Sequence, residues 1–171
     1  MEFPKQGEYS DYYSVYINQI PDVDNIIDVL EAGREKLNSL IKSIPEEKGG
    51  YSYAPGKWSI KEVLGHIADV ERVMAYRVLC IARGEKKSLP GFDQDEYVAS
   101  ADFNSRPLSS FAEELLHLRN SNITLFKTIN EEKMMRWGKA NNHDVTVRAF
   151  MFIIAGHELH HMKILQERYL K

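Results

Sequence analysis

Near its C-terminus the chain reads AGHELHHMKI, residues 155–164, and contains H-E-x-x-H. In zinc peptidases this pattern offers two imidazoles to the metal and a glutamate to the water beside it. At about 100° per residue His161 stands roughly 40° from His157, so the two rings project side by side from one helix face. His160 lies about 60° to the other side, at the edge of that face, and reads as a supporting or surface residue. A catalytic metal needs a third protein ligand and an open position. The extended peptidase pattern H-E-x-x-H-x-x-G-x-x-H fails here, because Ile164 replaces its glycine and Glu167 and Arg168 stand where its last histidine belongs. A downstream helix carrying a glutamate ligand is not expected either, with ten residues after His161.

The third ligand is therefore sought upstream. EVLGHIADVE places His66 at the edge of a stripe made by Val63, Ile67, Val70 and Met74. His117 falls away from the apolar stripe of its own segment, and His143 sits in the loop before the last helix, where it can cap or line a pocket mouth. The competing reading of the His157/His161 pair is a hydrogen-bonded core network, since buried imidazoles are costly unless their ring nitrogens find partners. Two carboxylates are also candidates for catalysis. Glu71 falls within about 40° of Ile67, inside an apolar stripe where a carboxylate must be paired, so a buried Glu-Arg or Glu-His network competes with a catalytic role. Asn122 is placed similarly on the third helix, and Arg148 opens the fourth. Glu158 is rotated about 100° from His157 and reaches the metal's water only if a pocket opens on that side.

Four long segments with helical apolar spacing must position these residues, and strand-like alternation is scarce. The first helix opens in PDVDNII, capped by Asp22 or Asp24, with Val23, Ile26, Ile27, Leu30, Leu37, Leu40 and Ile41 on one face, and ends before Pro45. The second starts at the capping box Ser59–Glu62 and runs to Gly84. A connection of 25 residues or so, too long for an ordinary loop, then reads as a crossover or lid. The third helix starts at a second box, Ser110–Glu113, with Phe111, Leu115, Leu118, Leu125 and Ile129 as its stripe. The fourth is capped by Asp144 and continues to about Tyr169. This predicts an all-α four-helix bundle whose topology need not be simple up-down-up-down. The fourth helix has a second stripe, Phe152, Ala155, Leu159, Met162, Gln166 and Tyr169, opposite its histidines. Either a second copy of the chain or the aromatic N-terminal segment YSDYYSVYI covers it.

The 171 residues fit one domain, residues 1–171, with residues 1–20 packing on the bundle. A formal charge of −3 gives no footprint for nucleic acid or an anionic membrane, and no stretch approaches the ~20 apolar residues of a membrane span. The N-terminus lacks the pattern of a secretory signal, and the single Cys80 excludes an internal disulfide, so a cytoplasmic location is expected.

With these residues in place, the chain resembles the DinB/YfiT-like superfamily. The resemblance rests on YAPGKWSIKEVLGHIADVERVMAYR, residues 53–77, on LPGFDQDEYV, residues 89–98, and on ANNHDVTVRAFMFIIAGHELHHMKIL, residues 140–165. It implies an up-down-down-up four-helix bundle with a long crossover between helices 2 and 3, frequent homodimers, and a divalent metal held by three histidines. Carried over, those ligands are His66, His157 and His161, with Zn or Ni as the metal, and Glu158 fills a variable position. The functions implied are thiol S-transfer to a small electrophile, using a low-molecular-weight thiol, or metal-dependent hydrolysis. A non-catalytic metal-binding dimer in a stress response is the third reading. Zn²⁺, Ni²⁺, Fe²⁺ and Mn²⁺ all suit three imidazoles plus water.

Overall fold

The computed structural model describes residues 2–171, and its architecture follows from four amphipathic helices: α2 (Ile26–Ser43), α3 (Ile60–Ala82), α5 (Leu108–Lys127) and α7 (Val147–Ile164). Shorter elements lie between and before them: α1 (Ser14–Ile17), α4 (Gln94–Ser100), α6 (Glu131–Met134) and a hairpin of β1 (Trp137–Ala140) and β2 (His143–Thr146). Side-chain pairs fix the directions. Lys127 at the end of α5 meets Glu31 near the start of α2, so these two run antiparallel. His66 near the start of α3 meets His157 near the end of α7, which makes that pair antiparallel as well. The Ser59 hydroxyl, which caps α3, donates to Asn104 just before α5, so the starts of these two helices lie together and they run parallel. With Gly33 of α2 lying beside Glu158 of α7, the order is up-down-down-up.

Caps explain where the helices begin. Ser59 and Glu62 form the expected reciprocal box at α3, and Gly84, at φ 94°, follows its last turn. The other expected starts shift. Asn25, rather than Asp22 or Asp24, caps α2 by accepting from the Ile27 amide. At α5 the Ser110–Glu113 box is not used: the helix opens at Leu108 after Pro107, the Leu108 amide donates to Glu46 Oε2 at 2.8 Å, and the Ser110 hydroxyl donates back to the Pro107 carbonyl. Thr146 replaces Asp144 as cap of α7, because residues 143–146 are a strand. That hairpin is absent from the sequence expectation. Its two-residue loop, Asn141-Asn142, has φ of 49° and 63°, the left-handed pair of a type I′ turn that asparagine tolerates.

The long crossover is ordered by α4 and is tied to the hairpin. The Leu89 amide donates to the Lys139 carbonyl, and the Asn141 amide donates to the Leu89 carbonyl, both at 2.9 Å. The Phe152 end of the second stripe of α7 is covered within the chain by the N-terminal segment, while Tyr169 at the other end packs on Tyr53 and donates to the Trp58 carbonyl. Phe3 packs on Phe152 with ring centroids 4.8 Å apart, and Gly156 lies directly under the Tyr16 carbonyl. A Glu8 clamp fastens this segment: its carboxylate accepts from Arg148 Nε at 2.7 Å, from Arg148 Nη2, and from the Thr146 hydroxyl at 2.9 Å. Burial pushes the Glu8 carboxyl up, but the bonds from Arg148, the Lys5 amide and Thr146 together hold it below its ordinary value. Among the described residues, no helix is long and apolar enough to cross a membrane.

Candidate metal centre

His66 comes from the first turns of α3, and His157 and His161 from successive turns of α7. Because these helices are antiparallel and adjacent, an imidazole near the start of one faces imidazoles near the end of the other. One nitrogen from each ring falls within 4.8 Å of the other two, and His66 Nε2 lies 3.0 Å from His157 Nε2. All three are sequestered, at 2%, 5% and 9% exposure. Burial lowers the basicity of every ring: His66 falls to about 4, His161 to about 3 with the neighbouring imidazoles contributing, and His157 falls well below its ordinary value. At neutral pH the cluster is uncharged, with lone pairs free for a ligand.

These residues fit a divalent ion. Metal–nitrogen bonds of about 2.0–2.1 Å set ligand nitrogens roughly 3.0–3.4 Å apart, close to the His66–His157 separation. A shared proton between those two nitrogens satisfies two rings; convergence of a third ring on the same point is what a metal explains. Trp58 stacks beside His66 at 4.7 Å between centroids, and the edge of Tyr16 meets His157 at 5.2 Å. His160, at the margin as expected, is held by Gln19 Nε2 at 2.9 Å from its Nδ1. His117 is exposed, and His143 lies exposed at a pocket rim.

The expected catalytic carboxylates are placed differently. Neither Glu71 nor Glu158 belongs to the converging group. Both bind Arg119, which was not foreseen and is 1% exposed: Nε and Nη2 donate to Glu71 at 2.7 and 2.8 Å, and Nη2 and Nη1 donate to Glu158 at 2.8 and 3.3 Å. Asn122 donates to Glu71 at 3.1 Å, and Arg119 also donates to the Leu30 carbonyl. Residues of all four long helices thus meet at this network, which marks the bundle centre. The face of α7 turned to that centre carries Glu158, not the histidines; His157 and His161 look toward α3, the N-terminal segment and the crossover. The signal for Arg119 was available, since it lies four residues after Leu115 and three before Asn122, on the buried stripe of α5. Two carboxylates share one guanidinium, so burial together with the Glu71 charge outweighs Arg119 and raises Glu158 above the ordinary carboxylate value. The same two charges overcome burial at Arg119 and raise its own value.

Two cavities reach the cluster, one at His157 and one at His161. A cavity of about 450 Å³ is lined by His157, Tyr13, Tyr16, Met74, Arg77 and Ile153. A smaller one of about 220 Å³ is lined by His161, Trp58, Tyr53, Val63 and Tyr169. Gln94 and Asp95, at the start of α4, border both. Arg77 also escaped the sequence reading, although it extends the His66–Val70–Met74 stripe by one turn.

The chain is similar to several known proteins. A protein of Oceanobacillus iheyensis named "Putative metal-dependent hydrolase OB0413" is 24% identical over 144 residues, covering 84% of this chain and 83% of that one. YfiT from Bacillus subtilis, described as a probable metal-dependent hydrolase with an unusual four-helix bundle topology, superposes with a TM-score of 0.77 at 17% identity, over 90% of this chain and 95% of the other. A mycothiol-dependent maleylpyruvate isomerase superposes at 0.67 and 11% identity, over 85% of this chain and 61% of that one. At these identities the solved structures speak to the fold. The model of the DinB superfamily matches residues 29–165, a span that holds α3, α5 and α7, all of α2 but its first three residues, and all three clustered histidines, and the chain belongs to that superfamily.

Proposed function

We propose that the protein is a metal-dependent enzyme that transfers a small thiol to an electrophile, with His66, His157 and His161 holding a divalent ion. The observation that supports this reading is the pair of cavities at the cluster, one lined by His157 and one by His161, with Gln94 and Asp95 lining both. A transfer reaction has two organic reactants and needs a compartment for each. Bound there, the ion would supply a Lewis acid that favours the anionic, nucleophilic form of a thiol or water near neutral pH.

The chain's own residues do the rest. Each uncharged imidazole has one nitrogen lone pair to offer, and the proton that His66 and His157 share would be displaced when an ion binds. Trp58 and Tyr16 fix the orientations of His66 and His157 by ring contact. Gln94 and Asp95 sit where the two compartments meet, so they are positioned to contact both reactants. In the transfer the sulfur forms a bond to the electrophilic carbon, the leaving group departs with its electron pair, and the thiol proton passes to solvent. Metal-dependent hydrolysis is the second reading, favoured by the hydrolase name of the Oceanobacillus relative. Water then takes the place of the thiol at the same site.

Elemental analysis of the parent and of His161→Ala tests the ligand assignment; about one divalent ion per chain is expected in the parent, with marked loss in the variant. The loaded parent is then assayed with bacillithiol, glutathione or coenzyme A against electrophilic acceptors, beside ester and amide substrates without thiol. Thiol-dependent consumption of the acceptor supports transfer, and turnover indifferent to thiol selects hydrolysis. Equal metal content in parent and variant overturns the ligand set.

A further inference from the structure

The larger cavity contains a charge that the three-histidine chemistry does not use. Three arginines are buried among the described residues: Arg77, Arg119 and Arg148. Arg119 is neutralised by Glu71 and Glu158, and Arg148 by Glu8. Arg77, at 2% exposure, makes no ion pair among the described residues. Its Nη2 donates to the Pro90 carbonyl at 2.8 Å and its Nη1 meets Met74 Sδ at 3.4 Å. The Phe92 and Phe150 rings each lie 5.9 Å from the guanidinium carbon. A buried cation without a counter-ion is costly. This one lines a cavity, and the cavity ends at His157.

We propose that this cavity binds a small molecule bearing a single carboxylate, which pairs with Arg77 while the rest of the ligand extends past Val70, Met74 and Ile153 toward His157. The proposal deepens the functional reading above by naming the chemical class of one reactant, and it rests on the cavity being that reactant's compartment. One guanidinium balances one unit of negative charge, and its planar fork matches a carboxylate in a bidentate arrangement. A phosphate dianion fits worse. The cavity has no second arginine or lysine, and the exposed Asp93 and Asp95 lie on its border. Asp93 does not reach inward to neutralise Arg77, since its Oδ1 accepts the Asp95 and Glu96 amides that begin α4. The apolar lining between the two ends suits a short aliphatic or aromatic stem.

The test is a titration of the full-length parent, labelled at the methionine and isoleucine methyl groups, with butanoate, hexanoate and 3-phenylpropanoate, and separately with their primary amides and inorganic phosphate. It is run on both metal-free and zinc-loaded protein. The expected result is saturable shifts at Met74 and Ile153, carboxylates at least tenfold tighter than matching amides and tighter than phosphate, and Arg77→Gln reducing carboxylate affinity to the amide level while Arg77→Lys keeps part of it. Amides binding as well as carboxylates, phosphate binding more tightly, or shifts that bypass both reporters overturns the proposal. The carboxylate–amide comparison uses the parent alone, so it decides the matter even if Arg77→Gln does not fold. Binding by the metal-free protein needs no turnover. Carboxylate preference without thiol transfer sinks the functional reading and leaves this one standing, and transfer without carboxylate preference does the reverse.

Discussion

Arg119→Met removes the guanidinium at the bundle centre and keeps most of its apolar volume. Four N–H···O contacts of 2.7–3.3 Å to Glu71 and Glu158 disappear, and both carboxylates stay buried at 3% exposure. Breaking a buried pair by deleting one partner costs about 3–5 kcal/mol, chiefly because the remaining charge is uncompensated. Two orphaned carboxylates do not double that figure. Glu158 already holds its proton more readily than an ordinary carboxyl and can neutralise itself, and Glu71 keeps the amide of Asn122. We therefore expect a loss of about 3–5 kcal/mol, read by urea unfolding with circular dichroism at pH 7. At about 2–4 °C per kcal/mol for a chain of this size, the melting temperature falls by about 6–20 °C.

Glu158→Gln is the control that isolates charge. It leaves Arg119 paired one-to-one with Glu71, and the folded state already disfavours the charged form it removes, so its cost is expected below about 1 kcal/mol. The pH dependence of Arg119→Met has a definite sign. The orphaned Glu158 carboxyl has a folded pKa raised above its unfolded value, so the variant's deficit shrinks as pH falls from 7 toward 5. Arg119→Met unfolding within 1 kcal/mol of the parent, or Glu158→Gln costing as much as Arg119→Met, would refute the reasoning.

Three further outcomes follow from the site and its cover. A side chain at Gly156 runs into the Tyr16 carbonyl, so Gly156→Val should lift the N-terminal segment, cost about 1–3 kcal/mol, and speed cleavage within residues 2–20 in limited proteolysis. Glu8→Gln weakens the Arg148 clamp by about 1.5–3 kcal/mol at pH 7. Because the folded Glu8 value is depressed, the parent's advantage is present above the ordinary carboxylate value and lost as pH falls below it through the lowered folded value, so acid unfolding curves of parent and variant should converge. Trp58 lies against His66 while Trp137 is 48% exposed, so zinc addition should change tryptophan fluorescence in Trp137→Phe as in the parent; an unchanged signal in that variant places the metal elsewhere.

Much of this protein is legible along the chain because helical period and capping are local. The Ser59–Glu62 box set the start of α3, the i, i+4 spacing placed His157 and His161 on one face, and the stripe on α3 brought His66 within reach. Local rules also had their failures. The box at Ser110–Glu113 gave way to Glu46, which holds the Leu108 amide from 62 positions upstream, and Asn141-Asn142, a turn signal passed over, closes a hairpin.

What the helical period cannot supply is the identity of the partner each face meets. From Val147 to Glu158 every residue of α7 is buried, so its pattern does not distinguish the face toward the bundle centre from the face toward the cover. The resolution came from α5 and from the N-terminus. Arg119 draws Glu71 and Glu158 to the centre, and Tyr16 and the Glu8 clamp close the opposite side. A helix sequence fixes the angles between its own side chains. Only packing against distant segments decides that Glu158 serves the core and that its neighbour His157 faces a cavity with an unneutralised arginine.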